Sequence, residues 1–176
     1  MRTVRTLLAA TTLATGTLGA QTIAITNATV HPVSGPRLEN ATVLISGGTI
    51  AAVGTNVAVP AGAQVIDARG KVVTPGLVAA GTQLGIVEVG AVRETRDGSA
   101  RRADGVAAAF RVWEGFNAAS VLLAPARMDG GITTVGVVPG GNMISGQAAV
   151  VDLTLADTLV LRRAPAFMVA RLGNPQ

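Results

Sequence analysis

The chain has 176 residues, a hydrophobic fraction of 49% and 22 glycines, with one Trp, three Phe and no Tyr. One ordinary domain's worth of core is available, the composition argues against disorder, and that core has to be built from Val, Leu, Ile and Ala. The formal charge of +4 rests on thirteen arginines, and the scarcity of stacking aromatics argues against a nucleic-acid partner.

Arg2 and Arg5 precede an apolar stretch from Leu7 to Leu18, and the small residues Gly19 and Ala20 follow. This order reads as a secretory signal peptide over residues 1–20, cut before Gln21. The apolar run is shorter than a membrane span requires, so no span is expected after cleavage, and the mature chain is expected to be exported, to the periplasm or beyond. Removing Arg2 and Arg5 halves the net positive charge. Cysteine is absent, so export is not accompanied by a disulfide framework.

Residues 21–73 read as short strands broken by turns. "TIAITNATV" alternates polar and apolar residues before "HPVSGP" interrupts it. "ATVLISGGTIAAVG" predicts a hairpin about Ser46-Gly47-Gly48, and "AQVIDARGKVVTPG" predicts a second about Ala68-Arg69-Gly70. The two "NAT" triplets, at Asn27 and Asn40, read as turn residues opening successive strands. The expectation is a small antiparallel β-unit.

From residue 74 the texture changes. "KVVTPGLVAAGTQLG" reads as a buried strand ending in a turn, yet past Lys71 it carries no His, Cys, Asp or Glu. "RETRDGSARRAD", Arg93 to Asp104, sets four Arg against three acids and reads as a solvated loop or an anion-binding one. "NAASVLLAPARM" predicts a helix from Asn117 to Met128, with Asn117 as its cap and Pro125 as a break. "GGITTVGVVPGG" then predicts a buried strand, and "GQAAVVDLTLADTLVLRR" a further hairpin. Strand, helix and strand in succession imply a parallel α/β unit.

Few chemistries survive this inventory. A catalytic zinc site takes three protein ligands, and His31 is the single histidine, placed before a proline in a turn. A Ser-His-Asp triad would have to draw on that same turn residue, and Ser34, Ser46 and Ser145 lie in no G-x-S-x-G elbow. Lys71, the single lysine, falls in a turn. Glu88, within the apolar "LGIVEVGAV", is the carboxylate of most interest: either burial raises its pKa, or it points outward or pairs with Arg93 or Arg96. "VVPGGNMISGQ" lacks the dinucleotide and P-loop patterns, leaving a tight strand-end loop or an anion nest of backbone N–H groups.

Four stretches in order, "NATVLISGGTIAAVG", "VIDARGKVVTPGLV", "GGITTVGVVPGGNMISGQAAVVDL" and "ARLGNPQ", resemble the amidohydrolase superfamily, and within it the exported, imidazolonepropionase-like group. The resemblance spans nearly the whole mature chain. It implies a metal-dependent hydrolase of C–N bonds other than ordinary peptide bonds, using zinc or another divalent metal. The implied fold is a (β/α)8 barrel flanked by a small β-sandwich built from both chain ends.

In that family the first barrel strand follows a P-G-[LFI] turn and ends in Asp-x-His-x-His, whose histidines bind the metal. The matching positions here are Ala79, Gly81 and Gln83. Both histidines are replaced, and "LGIVEVGAVRETRD" resembles a subset of the superfamily with the same loss. No metal is therefore expected at this position, and Gln83 and Glu88 remain as pocket candidates. A barrel needs about 200 residues or more, whereas Lys71 to Gln176 spans 106.

The expected fold is thus α/β: a β-sandwich part over residues 21–73, then the first units of an incomplete TIM-type barrel over 74–176. The expected function is that of a catalytically inactive amidohydrolase relative. Its alternatives are the N-terminal fragment of a longer active periplasmic enzyme, and a non-enzymatic binding module. Expected partners are a second copy of the chain or the remainder of the barrel. Amino-terminal sequencing of the exported protein is expected to begin at Gln21; a chain that retains Met1 would remove the signal-peptide reading.

Overall fold

The structure is a computed structural model, and it describes residues 21–100, 105–141 and 143–172. The expected signal peptide, residues 101–104 of the charged loop and the end of "ARLGNPQ" lie outside the described residues. Two compact units meet in sequence at Pro75 and Gly76. Strands dominate both, and α-helix is confined to one short segment among the described residues.

In the first unit, β1 (Ile23–Val30) pairs antiparallel with β2 (Leu38–Ser46), and β2 with β3 (Thr49–Gly54). The β2–β3 hairpin turns through Gly47 and Gly48 at φ values of 60° and 75°. Two consecutive left-handed residues match the twist of the flanking strands, and only glycine adopts them without strain. This is the expected hairpin.

The expected second hairpin does not form. β4 (Gln64–Asp67) and β5 (Val72–Val73) both pair parallel with β1, along Ile23–Thr26 and then Thr29–Val30. The segment Ala68 to Lys71 loops out between them, closed by Lys71 N–H donating to the Ala68 carbonyl at 2.9 Å. Rather than reversing direction, the turn lets one strand leave β1 and rejoin it. The sheet is therefore mixed, not wholly antiparallel.

Asn27 and Asn40 open no strand either. They lie inside β1 and β2 at φ values of 59° and 50°. Asparagine tolerates this left-handed backbone better than most residues. Each asparagine coincides with a break in the β1–β2 register, between Ile25 and Ala28 and between Ala28 and Val30. Ala28, Val30, Ala41, Val43 and Ala68 form the buried centre of this unit, a core of small side chains.

The second unit is a four-stranded sheet in the order β6 (Leu77–Thr82), β7 (Ile132–Val137), β8 (Ile144–Asp152), β9 (Val160–Ala170). β6 and β7 run parallel, as the strand–helix–strand pattern requires. β7, β8 and β9 are antiparallel neighbours, so the β/α alternation is not continued after β7. β6 is an edge strand, with Leu77 56% and Val78 66% exposed, which corrects the expectation of a buried strand.

The crossover from β6 to β7 holds two 3-10 turns, Arg93–Thr95 and Val112–Gly115, and the helix α1 (Leu123–Met128). The helix is shorter than its sequence pattern. Asn117 does not cap it: its side-chain oxygen accepts the Ala119 N–H at 3.1 Å in a local turn. Pro125 falls in the first turn of α1, where its missing N–H has no intrahelical partner to lose. Leu123 joins Ile86, Val112, Val135, Val137, Ala149, Val151 and Leu153 in the buried core, with Phe110, Trp113 and Phe116 packed against it.

β6 and β7 approach closely at Gly136. A side chain there would begin 2.5 Å from the Ala80 carbonyl oxygen, a backbone atom that cannot swing aside. Gly136→Ala is expected to destabilise the protein by about 1–3 kcal/mol, as forced overpacking does, with the urea midpoint as the measurement. An unchanged midpoint would show that the strands separate freely at this point.

Candidate functional site

The candidate site is the C-terminal end of β6 and β7, where the resemblance places a metal. Its geometry is set by a bulge. Ala79 lies opposite Val135 and Thr82 opposite Val137, so Ala80 and Gly81 together face the single residue Gly136. The extra residue breaks the alternation by which Ala79, Gly81 and Gln83 would share one face. Ala79 and Leu84 pack against the core, whereas Gly81 and Gln83 are exposed.

Beyond β6 the chain turns sharply. The Thr82 hydroxyl accepts the Leu84 N–H at 3.1 Å, and the Gln83 carbonyl accepts the N–H groups of Ile86 and Val87, both at 3.0 Å. Gly85, at φ 78°, has the Phe116 ring 2.5 Å from where a side chain would start, so no larger residue fits. These contacts fix the Gln83 backbone. Its amide nitrogen lies over Gly98 and Gly140, whose own backbones are joined by Gly140 N–H donating to the Gly98 carbonyl at 2.8 Å.

The donors on this strand end do not fit a zinc ion. Gly81 has no side chain and opens onto empty space, Ala79 has no ligand atom, and Gln83 offers a neutral amide, a weak donor for zinc. Among the described residues no group of three or more His, Cys, Asp or Glu comes together in metal-binding geometry.

Glu88 is half-buried beside the same turn. Its carboxylate accepts a hydrogen bond from the Asn117 amide at 3.1 Å, and its N–H donates to the Thr95 carbonyl at 3.1 Å. That amide lies 29 residues away in sequence, beyond what the spacing around Glu88 reveals. The charged loop borders a cleft of about 400 Å³ lined by Asp97, Ser99, Phe110, Arg111 and Glu114, in which Arg111 pairs with Glu114 at 3.3 Å. His31 belongs to the first unit and lines an apolar hollow of about 240 Å³ with Val43, Ile50, Val53 and Val73.

One polar cluster had no counterpart in the sequence reading. Arg162 grips Asp152 with both ends of its guanidinium, Nε at 2.9 Å and Nη2 at 2.6 Å, while the Thr134 hydroxyl donates to the same carboxylate at 2.8 Å. Three strands are pinned through one acid. The Arg162 bonds, helped by Thr134, hold the Asp152 carboxyl below its ordinary value of 3.8. A lowered native pKa means that the contribution is complete above the unfolded value and is lost as pH falls through the native one. Asp152→Asn is therefore expected to flatten the fall in stability below about pH 4, read from urea midpoints across the acid range. An acid limb as steep as that of the parent would sink this assignment.

No protein-family model matches the sequence, and no curated protein matches it. Solved structures do. The amidohydrolase from Thermotoga maritima is 30% identical at a TM-score of 0.73, over 87% of this chain and 39% of its own. A prolidase complexed with N-methylphosphonate-L-proline is 20% identical over 65% of this chain and 25% of its own, at a TM-score of 0.43. A D-hydantoinase is 34% identical over 45% of this chain and 16% of its own, at 0.35. The chain thus spans less than half the length of the Thermotoga protein. The Thermotoga protein is an amidohydrolase, and the mixed sheets of this chain match its N-terminal part, which supports a relationship to the amidohydrolase superfamily.

Proposed function

We propose that the chain is an exported amidohydrolase relative that has lost its first metal-binding strand and is catalytically inactive as it stands. What supports the proposal is the end of β6, where Gly81 and Gln83 offer no strong zinc donor at the positions that, by the resemblance, the family fills with histidines. Hydrolysis in such a site depends on a metal-activated water, and neither residue can hold the metal that generates it. On this reading β6, the crossover and β7 are the first unit of an incomplete barrel, and the first unit of the chain is part of the flanking sandwich.

A second reading is favoured by the coverage of the Thermotoga structure: the chain as the amino-terminal part of a longer periplasmic enzyme whose later strands supply the metal ligands. The open edges of β6 and β9, with Leu77, Val78, Leu161 and Phe167 exposed, are where a second copy or the rest of a barrel would pair.

Two measurements separate these readings. The intact mass of the native product is expected below 17.6 kDa if the short chain is the working protein, and above twice that if it is part of a longer one. The purified 176-residue chain, dialysed against zinc and analysed for metal, is expected to retain far less than one equivalent. One tightly held equivalent would overturn the loss of the site.

A further inference from the structure

We draw no further inference here: the strongest candidate, the apolar hollow of the first unit bordered by β1, β2, β3 and β5 and lined by Val30, His31, Val43, Ile50, Val53 and Val73, is an unpartnered apolar face, and nothing in the structure shows what covers it.

Discussion

The second unit depends on one close approach, that of the Ala80 carbonyl to the bare α-carbon of Gly136. Parallel strands keep a fixed spacing, and a bulge in one of them crowds its backbone toward its neighbour. Here the neighbour yields by having no side chain. Because the strands close at this point, the extra residue in β6 is absorbed locally, and the pairing resumes at Thr82 and Val137. What changes is the direction in which the last residues of β6 leave the sheet. Gln83 is aimed over two glycines by a distortion three residues earlier.

Alternate residues of a strand share a face, so an inserted residue changes which of them face together. The bulge separates Ala79, which packs on the core, from Gly81 and Gln83, which are both exposed. The polar network of Thr134, Asp152 and Arg162 shows the opposite behaviour. It spans three strands through a single carboxylate, and it sits where β7 begins and β8 ends, away from the bulged end of β6. One part of the sheet is held by a charge, the other shaped by missing side chains.

The elements most legible in the sequence were those whose local chemistry allows one answer. Gly47 and Gly48 permit a left-handed pair, and the β-branched run "ITTVGVV" between glycines permits little but a buried strand. What was not legible depended on partners remote in sequence. Ala68-Arg69-Gly70 carries the residues of a hairpin turn, yet β1 offers both flanking strands a parallel edge, and that tertiary pairing prevails over the local preference. The helix expected from Asn117 lost its first half to an Asx turn, because asparagine's side chain competes with the helix for backbone N–H groups. At the candidate site, Gln83 was placed by its resemblance to a family motif, and the Asn117 partner of Glu88 was invisible, since it does not follow from spacing along the chain.

The two asparagine bulges of the first unit act on each other. β1 uses one residue more than β2 between Ile25 and Ala28, and β2 uses one more than β1 between Ala28 and Val30, so the surplus cancels and the strands end in the phase in which they began. A deletion in either triplet alone would leave a half-period error, turning inward-facing side chains outward along the remaining strand. Loss of both together would leave inside and outside unchanged. The triplets thus form a coupled pair, expected to be gained or lost as one in any lineage that keeps this sheet.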